Sequence, residues 1–162
     1  MNVLIDQSVP PQAFSQFLRN LHELIREGQG ESAEADALRD QMDALWHGFS
    51  EQQQHRFSGL SEDLYSIAEG SCSSVEMSPS DRKAWALELH QAQNQRDWDK
   101  VLQLLRRPPI EVPERTIRFF QSQCWEMLGD PETALVFMHA AASAEPLYLI
   151  DRQKTNVLTT PL

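Results

Sequence analysis

Apolar residues recur at steps of three and four along most of the chain, and that period predicts helices rather than strands. Phe14, Phe17, Leu18, Leu21, Leu24 and Ile25 predict a first helix over residues 12–27, which Gly28-Gln29-Gly30 breaks. Ala35, Leu38, Met42, Leu45 and Trp46 predict a second over 32–47. Its first turn carries Glu34 and Asp36, where the positive end of a helix favours carboxylates, and Gly48 ends it. Ser50 with Gln53 three positions on has the form of a capping box and predicts a third helix over 51–69. Phe57, Leu60, Leu64, Tyr65 and Ile67 are its apolar positions, and Gly59 marks a point where it can break.

The period then disappears in GSCSSVEMSPS, residues 70–80, which read as a linker with Ser80 placed to cap the next helix. Beyond it, residues 83–94 carry Ala84, Leu87 and Leu89, and residues 97–106 carry Trp98, Val101, Leu102 and Leu105. The strongest pattern spans 114–146. Ile117, Phe120, Cys124, Met127 and Leu128 predict one apolar stripe over 114–128, widened by Phe119 and Trp125. Gly129 is suited to the left-handed residue that closes a helix, and Asp130-Pro131 to a cap followed by proline at the first helical position. The next helix runs to about residue 144, with Ala134, Leu135, Met138, Ala141 and Ala142 on one side, and Pro146 stops it.

On these residues the stretch resembles a tetratricopeptide repeat. In that family's spacing, Trp125 falls at an aromatic position of the first helix and Gly129 in the turn. Ala134, Met138 and Ala141 fall at packing positions of the second helix, and Pro146 closes the unit. Ser122 fits the pattern, whereas Arg118 and Gln121 depart from it. Sliding back by about one repeat length, roughly 34 residues, sets Arg96 against Gly129, Val101 against Ala134 and Leu105 against Met138. The resemblance covers residues 82–146, and Pro108 cuts the upstream copy short. It implies two helix pairs stacked as a short α-solenoid, with first helices lining a groove. Lys83, His90 and Asn94 from one unit, and Thr116, Phe119 and Gln123 from the next, are then the partner-binding residues. Their basic-polar mix suits a peptide or an acidic terminus.

The expected architecture is all-α: an acidic three-helix segment (1–70), a Ser-rich linker (71–80), two repeat-like helix pairs (81–146) and a C-terminal tail (147–162) in which residues 147–150 add at most one apolar turn. The formal charge of -10 bears on partners. Residues 1–80 carry 4 Arg against 13 Asp plus Glu, hence -9, and residues 81–162 carry 10 Lys plus Arg against 11 Asp plus Glu, hence -1. Nucleic-acid binding, which needs a basic face to neutralise phosphates, is not expected. The 41% hydrophobic content suffices for a core, yet no run reaches the length of a membrane span, and the start lacks the layout of a signal peptide. Two cysteines, Cys72 and Cys124, make neither a disulfide framework nor a metal spacing, so a cytoplasmic setting is expected.

Candidate chemistry is sparse. His47, Glu51 and His55 are spaced by four, which on one unbroken helix would align three metal ligands, but Gly48 and Ser50 intervene. His22 and His139 adjoin apolar positions, and Cys124 sits among core positions with no histidine near it in sequence. No phosphate-binding glycine loop occurs. No catalytic residue, cofactor or metal is therefore assigned. The expected function is a non-enzymatic adaptor or assembly subunit that binds a peptide or protein, and a two-repeat solenoid that must cover its ends allows self-association. A metal- or ligand-binding bundle, or an acidic inhibitor of a basic partner, is the alternative class.

Overall fold

The computed structural model describes residues 11–144. The entry segment through Pro10, the stop at Pro146 and the tail from Leu147 lie outside the described residues. Within them the fold is all-α, with seven helices: α1 (Pro11–Arg26), α2 (Ala33–Trp46), α3 (Glu51–Glu69), α4 (Pro79–Asn94), α5 (Trp98–Leu105), α6 (Glu114–Met127) and α7 (Pro131–Ser143). No strand occurs among the described residues, and the only β pairing is an isolated bridge between Val75 and Pro109. The chain divides into two compact units, Met1–Ala68 and Glu69–Leu162.

In the first unit, α1 buries Phe14, Leu18, Leu21 and Leu24 along the stripe its period prescribes. The Phe14 ring meets Phe57 of α3 at 4.7 Å, Phe49 edge-on at 5.1 Å and Trp46 of α2 at 5.8 Å. At the other end Leu21 and Leu24 pack with Ala35, flanked by Ile25, Leu38 and Met42. The helix starts are fixed locally. Ser32 Oγ accepts the Ala35 N–H at 3.2 Å. Ser50 Oγ accepts the Gln53 N–H at 3.2 Å while Gln53 Oε1 accepts the Ser50 N–H at 3.0 Å, which completes the capping box. Gly59 does not break α3; it is buried beside Phe57 and Leu60, and packing of that face offsets the roughly 1 kcal/mol cost of a mid-helix glycine.

In the second unit, α4 packs on α5, α5 on α6, and α6 most extensively on α7. The α4–α5 and α6–α7 turns are built alike. Arg96 (φ 55°) and Gly129 (φ 81°) both take the left-handed conformation, at positions 33 residues apart. After α4, the Arg96 N–H donates to the Gln93 carbonyl and the Asp97 N–H to the Ala92 carbonyl at 3.0 Å. After α6, the Gly129 N–H donates to Glu126 and the Asp130 N–H to Trp125 at 2.9 Å. Each is the paired closure of a Schellman motif. Asp97 and Asp130 then cap the following helix, each accepting the N–H three residues on at 3.2 Å.

Three expectations are corrected here. Ser78, not Ser80, caps α4, because Ser78 is extended and Pro79 already occupies the first helical turn. In α6 the buried set includes Arg118, Gln121 and Ser122 beside Ile117, Cys124 and Trp125, whereas Phe119 and Met127 are exposed. In α7 the buried residues are Thr133, Ala134, Phe137 and Ala141, while Leu135 and Met138 are 58% and 41% exposed. The linker reading also gains a constraint. The Val75 N–H donates to the Pro108 carbonyl at 2.8 Å and the Ile110 N–H to the Val75 carbonyl at 3.1 Å, which ties the Ser-rich stretch to the loop after α5.

Candidate functional surface

The six residues singled out for partner binding occupy two helices of the second unit. On α4, Lys83, His90 and Asn94 are all exposed, and their spacings of seven and four put them on one face. On α6, Phe119 and Gln123 are exposed and Thr116 is half-buried, again on one face. The 33-residue offset fixed by the turns sets Lys83 against Thr116 and His90 against Gln123. Both helices pack against α5, which lies between them in the chain.

Each stripe also contains a large apolar residue that periodicity assigned to the core. Leu87, 57% exposed, lies between Lys83 and His90 on the α4 face. Met127, 54% exposed, continues the Thr116-Phe119-Gln123 face of α6 by one further turn. With Phe119 at 42% exposure, three apolar side chains are interleaved with amide, hydroxyl, imidazole and ammonium groups. The only sign of this in the sequence is that α4 has too few large apolar residues for a continuous stripe; Ala92 is its one buried position.

Why these faces point outward follows from what the opposite faces bury. Trp85 Nε1 donates to the Leu104 carbonyl at 3.0 Å, which fixes the rotation of α4 on α5. On α6, Ser122 Oγ donates to the Ala134 carbonyl of α7 at 2.9 Å. Arg118, 1% exposed, donates from Nη1 to Gln121 Oε1 at 3.2 Å and from Nη2 to Glu114 Oε1 at 3.4 Å. Buried polar groups are tolerated when they are hydrogen-bonded in this way, and they commit α6 to one rotation. Arg82 of α4 pairs with Glu111 in the loop after α5. The Glu111 carboxyl is held below its ordinary range by a backbone hydrogen bond and by Arg82.

The remaining candidates are not drawn into one site. α2 ends at Trp46 and α3 begins at Glu51, so His47 lies between helices, apart from the start of Glu51 and His55 on α3. Among the described residues no group of three His, Cys, Asp or Glu side chains is placed to hold a metal ion. Cys124 is buried and Cys72 half-buried, both as thiols. His22 Nε2 lies 3.1 Å from Ser61 Oγ, and its ring meets Tyr65 edge-on at 4.4 Å. Burial lowers the His22 pKa from its ordinary value. No described helix is long and apolar enough to cross a membrane. No family model, curated protein or solved structure matches the chain.

Proposed function

We propose that the chain is a non-enzymatic, cytoplasmic protein-interaction module, an adaptor or assembly subunit. In this reading α4–α5 and α6–α7 are tetratricopeptide-like pairs stacked as a short solenoid, and the exposed stripes of α4 and α6 receive a peptide or a segment of a partner protein. The recurrence of one turn geometry after 33 residues supports the repeat reading. The observation that carries the interaction reading is the exposure of Leu87, Phe119 and Met127 on those stripes. Scattered single apolar residues are ordinary on surfaces, but apolar side chains alternating with donors and acceptors along adjoining helical turns make the kind of surface that an extended chain can dock on.

The test is site-specific photo-crosslinking in the cells that make the protein, with a benzophenone side chain at position 119 or, as control, at exposed Gln103 of α5. The expected result is a discrete adduct from position 119 that is lost when Leu87 and Gln123 are both changed to Ala. Adducts that are the same from both positions, or none from position 119, would refute the reading.

A further inference from the structure

α7 differs from the other helices in carrying no Asp, Glu, Lys or Arg from Thr133 to Ser143. A helix that is apolar all round belongs in an environment that covers more than one side. Only one side is covered within the unit, by way of Thr133, Ala134, Phe137 and Ala141. Leu135, Met138, His139 and Ala142 recur at steps of three and four on another side, and all four are exposed.

We propose that this second face of α7 is a self-association surface, on which α7 of a second copy packs about a two-fold axis. Charge selects the occupant. A chain of formal charge -10 repels its own copies over most approaches, and α7 offers two copies a face free of carboxylates. A two-fold contact asks only that a face be complementary to itself. Leu135 and Met138 supply the bulk, and Ala142, one to two turns on, leaves the room that the partner's large side chains fill. The size of the patch sets the strength. A 13-residue helix is about 20 Å long, and one such face buries less than the roughly 800 Å² per partner of a standard interface, so the dimer is weak, with Kd on the order of 10–100 μM. This inference uses a different helix from the α4 and α6 stripes and stands or falls separately from them.

Sedimentation equilibrium of the full chain, from about 5 to about 300 μM around the Kd inferred from patch size, reads the association directly at pH 7.5. The wild type is expected to pass from monomer to mostly dimer. The Leu135→Glu/Met138→Glu double variant, which sets four carboxylates together across the axis, is expected to weaken association at least ~tenfold while its far-UV circular dichroism stays that of the wild type. A Leu87→Glu variant is expected to associate like the wild type. Because the double variant can disturb folding, a Leu135→Cys variant is compared with Gln103→Cys under mild oxidation; the first is expected to give covalent dimer faster. A wild type that stays monomeric throughout, a double variant that associates unchanged, or equal cross-linking of the two cysteine variants overturns the proposal.

Discussion

Replacing Phe137 by Ala separates the rotation of α7 found in the fold from the rotation its apolar pattern suggests. Phe137 is fully buried, at 0% exposure, and large-to-small changes of a buried Phe cost about 3–5 kcal/mol from lost transfer free energy and the cavity left behind. Leu135 keeps 58% of its surface exposed. Scaling the ~1.5–3 kcal/mol for full burial of such a side chain by the part covered gives about 1 kcal/mol for Leu135→Ala, and a similar value holds for Met138→Ala. The three variants therefore differ by about 2–4 kcal/mol, which is a large fraction of the ~5–15 kcal/mol that holds a typical domain together. Amide hydrogen exchange read by mass spectrometry on peptides from α6 and α7 isolates the second unit, since a chain of two units need not unfold in one step. Protein is kept at about 2 μM, well under the weak-dimer range argued from interface size, so that association does not contribute. Phe137→Ala is expected to speed exchange in α6 and α7 by at least ~100-fold, and Leu135→Ala and Met138→Ala by no more than ~10-fold, at ~1.4 kcal/mol per factor of ten. Equal acceleration by Leu135→Ala and Phe137→Ala would refute this rotation of α7.

Three further outcomes follow from local geometry. Arg96 holds a left-handed conformation that costs a side-chain-bearing residue roughly 1–2 kcal/mol. Arg96→Gly is therefore expected to stabilise the second unit by about 0.5 kcal/mol after the added freedom of the unfolded chain is subtracted, and Gly129→Ala to destabilise it by about 1 kcal/mol, both measured by urea unfolding. Ser122→Ala removes a buried hydrogen bond between α6 and α7 and is expected to cost about 1–2 kcal/mol in the same assay, whereas exposed Ser58→Ala is expected to cost under ~0.5 kcal/mol. For His22 the folded-state pKa lies below the unfolded one because burial disfavours the charged ring, so the unfolded state binds more protons as pH falls. Its contribution is fully present above the unfolded value of 6.5 and is lost on acidification below it. The first unit's urea midpoint is expected to drop between pH 7.5 and 5.5, and His22→Gln to reduce that drop; an unchanged drop would remove His22 as a source.

The sequence by itself determined the features that are made of neighbours in the chain. Ser50 with Gln53, Gly129 followed by Asp130-Pro131, and the apolar period of α1 each specify a structure through hydrogen bonds or contacts within a turn or two, so the helices and most of their ends were legible, and with them the all-α class. The candidate surface was legible only in part. Lys83, His90, Asn94, Phe119 and Gln123 are exposed as their polarity or their place in the repeat-like spacing suggested, but Leu87 and Met127, which complete the stripes, read as core because an apolar side chain carries no mark of whether another helix will meet it. The tertiary structure alone decided the rotation of α7, since a helix apolar on every side has no period to set its phase. It also decided the burial of Arg118, Gln121 and Ser122, whose partners Glu114 and the Ala134 carbonyl become available only once α6 is formed and α7 is packed against it. Burial of polar groups and exposure of apolar ones both depend on what stands opposite, and what stands opposite is fixed by residues distant in the chain.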